Sequence, residues 1–144
     1  MEPTSLKRLL EEDGVTCTPE GLILKIHPDW VIEGEDRLSY TTLIRLIECC
    51  REHHWNTDIL SRANGTLVDA TSKSIAGEFT RSILVGSAIA ITYQVTEVRS
   101  KGYALKFEVR DALEQTLYAT FKMVSVFYDA QSGKAVPPPQ VVFN

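Results

Sequence analysis

From Ser39 onward the apolar positions fall at Leu43, Leu46, Ile47, Cys50 and His54. That spacing of i, i+3, i+4, i+7 and i+11 is a single stripe along an α-helix of about four turns. Ile44 and Trp55 widen the stripe on one flank, and Thr41, Arg45 and Glu52 lie opposite. Ser39 stands where an N-cap belongs, its hydroxyl free to accept from an early backbone N–H. On either side of this helix the period is two. In "GLILKIHPDWVIEGE" Leu22, Leu24 and Ile26 alternate with Ile23 and Lys25, and Pro28 marks a bend or demotes the strand to a sheet edge. After the break at "RANG" (62–65), residues 66–83 read as one or two extended stretches with a bulge at Gly77.

Three further runs alternate cleanly. Ile89, Ile91, Tyr93 and Val95 share one face of 87–98; Tyr103, Leu105, Phe107 and Val109 share another; and Leu117, Ala119, Phe121 and Met123 a third. The turns "SKG" and "ALEQ" separate them, and "VPPPQ" ends the sheet because proline cannot donate to a ladder. Residues 4–13 add a short helix capped by Thr4 or Ser5 and stopped at Gly14. Helix and strands are segregated along the chain, so the expected class is α+β. The expected organisation is one domain over 1–144, with 1–21 as an N-terminal extension. One helix covers one sheet face well, and the late strands carry apolar residues on both, including Tyr118, Val124 and Val126. Self-association is the expected outlet for the rest.

Composition narrows the function. With 144 residues, 44% hydrophobic and 24% charged, the chain builds a core without staples. A net charge of −4 with no Lys/Arg run argues against nucleic acid and anionic membranes as partners. Three cysteines, two of them adjacent, point to free thiols and a reducing compartment. No apolar run reaches membrane-span length, and the acidic N-terminus is unlike a signal peptide; a cytoplasmic location is expected. There is no Gly-x-Ser-x-Gly, phosphate-binding loop or dinucleotide fingerprint. Cys49 and His53 at i, i+4 make a poor zinc site without further ligands, so no metal or cofactor is expected; His53 reads as exposed.

The stretch "GEDRLSYTTLIRLIECCR" carries a resemblance. It is similar to the loop Asp-x-x-Gly-His-Val-Asn-Asn and the helix end Phe-Glu-x-x-Arg of the 4-hydroxybenzoyl-CoA thioesterase-like acyl-CoA thioesterases, which have the hotdog fold. Ile47, Glu48 and Arg51 match the helix end. Counting back without gaps sets Glu33 at the family's Asp, Asp36 at its Gly, Arg37 at its His, and Ser39 and Tyr40 at its two Asn positions. Phe79 and Gly86 resemble the family's Phe-x-x-Pro-x-x-x-Gly-Asp strand. Asp129, Gly133, Lys134 and Pro137 resemble its closing Asp-x-x-Thr-Gly-Lys-x-x-x-Pro. About residues 22–140 are covered.

The resemblance implies a curved antiparallel sheet wrapped around one central helix, assembled as a homodimer or tetramer. It also implies hydrolysis of an acyl-CoA or acyl-carrier-protein thioester in a groove between subunits. The helix N-terminus would polarise the thioester carbonyl, and a carboxylate would act as base or nucleophile. Glu33 is the expected carboxylate by position, with Asp36 as competitor. Ser39, Tyr40 and Thr41 at the helix start are the expected substrate contacts, and Arg37 suits a phosphate or pairs with Glu35 or Asp36. Glu48 reads as an ion pair with Arg51. Because Arg37-Leu38-Ser39-Tyr40 replaces His-Val-Asn-Asn, a non-catalytic acyl-thioester binding protein or partner subunit is the alternative. A dehydratase would need a catalytic His, and His27, before Pro28, is the only one outside the helix.

Overall fold

Six antiparallel strands form one sheet in the spatial order Thr16–Thr18, Gly21–Lys25, Ala88–Val98, Gly102–Asp111, Leu117–Asp129 and Val68–Phe79, and a fifteen-residue helix packs on its inner face. The structure, a computed structural model, describes residues 5–32, 34–59 and 68–138, with backbone only at 68 and 69. The elements are α1 (Leu6–Leu9), β1 (Thr16–Thr18), β2 (Gly21–Lys25), a 3-10 turn (Pro28–Trp30), α2 (Tyr40–His54), a π-turn (Trp55–Ile59), β3 (Val68–Phe79), β4 (Ala88–Val98), β5 (Gly102–Asp111) and β6 (Leu117–Asp129). This is the expected α+β arrangement. The break at 62–65 and the Thr4 cap lie outside the described residues; Ser5 caps α1 through its hydroxyl on the Arg8 N–H.

The predicted stripe of α2 is the buried one: Leu43, Leu46, Ile47, Cys50 and His54 all face the core. Burying each of the three aliphatic side chains stabilises the fold by about 1.5–3 kcal/mol. The inward sets of the strands meet them, with Leu22, Leu24, Ile89, Ile91, Leu105, Phe107 and Val109 essentially inaccessible. The outer face is charged at its centre. Lys106 and Lys122 stand opposite each other, within 4.0 Å of Glu108 and 3.7 Å of Glu97 respectively.

Several expectations are corrected. β1, too polar and short to show a period, hydrogen-bonds along β2, so β2 is an interior strand and Pro28 marks a bend, the 3-10 turn. His53 is buried, not exposed, because β1 lies beside that face of α2. Its Nε2 donates to the Thr18 carbonyl at 2.9 Å, and Nδ1 accepts from the Thr57 hydroxyl at 3.4 Å. Thr42 and Cys49 join His53 in a second buried strip, while Ile44 is exposed. Glu52, placed on the polar face, accepts from the Leu6 N–H and ties α1 to α2. The β3 bulge falls between Ser72 and Ser74 rather than at Gly77. Gly77 instead stands over the Phe121 ring, where a Cβ would come within 2.4 Å of Cδ1.

At the end of α2, Asp58 Oδ2 accepts from His54 Nδ1 at 2.9 Å and also from the Tyr93 hydroxyl. Burial lowers the His54 pKa and outweighs the opposing pull of Asp58; His53 and Arg51 lower it further. The folded state therefore favours neutral imidazole, while the unfolded chain takes up a proton near the ordinary value of 6.5. Below that pH the unfolded state binds more protons, and stability falls as acid is added. Calorimetry from pH 7 to pH 5 is expected to show a steeper loss of Tm for the wild type than for His54→Gln. Equal slopes would rule this out.

Candidate active site

Ser39 builds the start of α2. Its backbone is extended (φ −72, ψ 153), its carbonyl accepts from Leu43 N–H at 3.0 Å, and its hydroxyl accepts from Thr42 N–H at 3.1 Å. The hydroxyl also donates to Thr42 Oγ1 at 2.9 Å. Among the described residues, the Tyr40 and Thr41 N–H groups have no acceptor, which leaves two donors at the positive end of the helix dipole. Ser39→Ala is expected to cost about 1 kcal/mol, read as a fall in Tm of about 3–4 °C by calorimetry.

The preceding loop is pinned by backbone pairing. Leu38 N–H donates to Ile83 O at 2.7 Å, Val85 N–H to Asp36 O at 2.9 Å, and Glu35 N–H to Ile32 O at 2.8 Å. Gly34, at φ +85, supplies the left-handed residue this tight reversal needs. These bonds fold the segment after β3 against the helix start and border an open cavity of about 230 Å³. Ile32, Leu38, Leu43 and Ile83 make it apolar on one side; Tyr40 and Phe79 wall the other. Glu35, Arg37, Ser39, Arg81 and Ser82 supply its polar contacts. Arg37 Nε lies 3.5 Å from Glu35 Oε2, whereas the Arg81 guanidinium has no ion-pair partner among the described residues. The Tyr40 and Phe79 rings stack with centroids 3.8 Å apart, and Phe79 meets Phe121 edge-on at 5.4 Å.

Of the expected site residues, Ser39, Tyr40 and Arg37 line the cavity. Arg37 makes the anticipated contact with Glu35. Thr41 and Asp36 are exposed and do not line the cavity. Glu33 lies outside the described residues. Glu48 pairs with Arg51 at 3.1 Å, as its spacing implied. His27 is occupied elsewhere: Nε2 donates to Asp13 O at 2.7 Å and the ring lies 4.9 Å from that of Trp30. Burial first, then Glu52 and Glu48, pushes the Cys49 thiol up to about 11, and burial raises Cys50 further still. No cluster of three or more metal-ligating side chains exists among the described residues.

Sequence reasoning named Glu35 only as a partner for Arg37, and missed Arg81 and Ser82 as cavity residues. No local pattern marks them; only the pairing of Leu38 with Ile83 brings the two segments together.

The arrangement can polarise a carbonyl at the helix start beside an apolar chamber with cationic side chains at its rim. Its fold is shared by solved structures of low sequence identity. A 1,4-dihydroxy-2-naphthoyl-CoA thioesterase from Synechocystis superposes with a TM-score of 0.71 at 13% identity, covering 85% of this chain and 90% of that one. The dynemicin thioesterase gives 0.72 at 12%, covering 84% and 89%. A Staphylococcus aureus protein in complex with CoA gives 0.70 at 8%, covering 84% and 77%. Among curated proteins, none matches the sequence. The architecture is the hotdog fold of these thioesterases. The family model of the thioesterase-like superfamily matches residues 38–144, which take in α2 and the strands β3, β4, β5 and β6, and the chain belongs to that superfamily.

Proposed function

We propose that the protein hydrolyses an acyl-CoA or acyl-carrier-protein thioester in a groove between two copies of the chain. The observation that carries this reading is the pair of unused N–H donors at the start of α2, next to a cavity that Tyr40 lines together with apolar side chains and two arginines. In the tetrahedral transition state negative charge builds on the thioester oxygen, and two preorganised donors at a helix N-terminus stabilise it there more than in the ground state. Glu33 is the carboxylate that activates water or attacks directly, with Asp36 the alternative and Glu35 at the cavity rim a third. Arg37 and Arg81 offer guanidinium groups to the phosphates of the thiol carrier.

The second copy enters through β3. This twelve-residue strand is the sheet's outer edge, with no strand on its far side among the described residues. An edge of that length invites another strand. Its last residue, Phe79, is part of the cavity wall, so a copy paired along β3 would lie against the site and complete it. Cys17, Cys49 and Cys50 are free, in keeping with a reducing cytoplasm. The second reading, a binding protein or partner subunit without turnover, draws on the Arg37-Leu38-Ser39-Tyr40 replacement.

Thiol release from a panel of acyl-CoA and acyl-carrier-protein substrates tests the hydrolase, and sedimentation equilibrium tests the dimer or tetramer. Binding without release of thiol from any substrate would establish the second reading instead. A monomer at all concentrations would remove the shared groove.

A further inference from the structure

The Phe121, Phe79 and Tyr40 rings form a continuous row from the sheet to the helix start. Phe121 is 3% exposed and seated over Gly77, whose missing side chain makes the space for it. Phe79 abuts Phe121 edge-on, and Tyr40 stacks on Phe79. The last two rings are a wall of the cavity, and the first fixes them from behind. Edge-to-face and offset-stacked contacts of this kind hold rings in place beyond the effect of burial alone.

We propose that this aromatic row limits the length of the acyl group, admitting groups up to about ring or octanoyl size and excluding long chains. The proposal rests on the reading of the cavity as an acyl-thioester site. Scale supports it: an apolar cavity of about 150 Å³ takes one benzene ring. The cavity here, at about 230 Å³, takes a group only modestly larger. A palmitoyl chain has no place in it while Phe79 and Tyr40 hold their positions. Tyr40 thereby carries two separate functions, its N–H toward the carbonyl and its ring toward the acyl tail.

The test is a binding series with non-hydrolysable thioethers, S-hexyl-CoA, S-octyl-CoA and S-dodecyl-CoA, measured by calorimetry below their micelle concentrations. Burial of each methylene would tighten binding about fourfold. For the wild type that gain is expected to stop beyond the octyl chain, so that S-dodecyl-CoA binds no more than about threefold tighter than S-octyl-CoA. In Phe79→Ala and in Tyr40→Ala, which retains its backbone N–H, the dodecyl ligand should gain tenfold or more over the octyl ligand.

Tyr40 is 61% exposed, so its variant keeps the core intact should Phe79→Ala fail to fold, as circular dichroism would show. A wild-type affinity that climbs steadily to dodecyl would overturn the length limit, and so would variant profiles identical to the wild type. Thiol release from the matching acyl-CoAs reads the other question. Length-limited binding with no turnover of any substrate would sink the hydrolase and leave the filter standing.

Discussion

Glu33→Gln is expected to lower kcat by about 10²- to 10⁴-fold, the range for loss of a general base, while leaving the oligomer and its Tm unchanged. The amide keeps the size and a hydrogen-bonding oxygen but neither takes up a proton from water nor attacks a thioester. If binding of a thioether analogue is retained, the loss belongs to the chemical step rather than to the ground state. Asp36→Asn and Glu35→Gln serve as parallel measurements. Glu35 is ion-paired with Arg37 at the rim, and Asp36 contributes its backbone oxygen to Val85 while its side chain is exposed. Full activity in Glu33→Gln with a collapse in either of the others would reassign the carboxylate. Full activity in all three would remove the loop from the chemistry. The comparison is informative because the donors at the head of α2 are backbone groups and survive every one of these substitutions.

Trp30→Ala is expected to destabilise the fold by about 3–5 kcal/mol, the range for emptying a buried aromatic site. For a chain of this length that is a fall in Tm of about 10–20 °C, measurable by calorimetry or by circular dichroism. Trp30 is 1% exposed and among the largest fully buried side chains. It ends the 3-10 turn that leads through Val31, which bridges to Leu38, into the site loop. Trp30→Phe makes the useful contrast. The indole Nε1–H is buried without an acceptor among the described residues, so a phenyl ring sheds an unsatisfied donor along with part of the packing. Its cost should be less than half that of Ala. Equal losses for the two variants would show that packing at this site depends on the full indole.

Where one residue's neighbours are set by its own element, the pattern in the chain predicts them. The α2 stripe and the alternation in β4, β5 and β6 fall where their periods of 3.6 and 2 place them, because each repeats over enough residues to outweigh local noise. Ser39 was legible as a cap because capping uses only the next three residues. His53, Cys49 and Gly77 were not, for a shared reason. Their surroundings come from β1 beside α2, and from Phe121 one strand away, and no spacing within their own elements encodes either. The cavity divides the same way. The helix-start half, with Arg37, Ser39 and Tyr40, lies in the stretch that carries the family resemblance, whereas Arg81 and Ser82 reach it only through the pairing of Leu38 with Ile83.

Strand order also has a consequence for biosynthesis. β3 has as its neighbour β6, which is made after both β4 and β5: Val68 meets Asp129, and Phe79 meets Ala119. β4 and β5, made in between, can form their hairpin at once, but β3 waits through all of their synthesis with no mate in its own chain. During translation its long unsatisfied backbone is therefore open to neighbouring nascent chains before it is open to its own β6. On polysomes carrying several copies, crowding and elongation rate would then govern yield more than the finished protein's stability does.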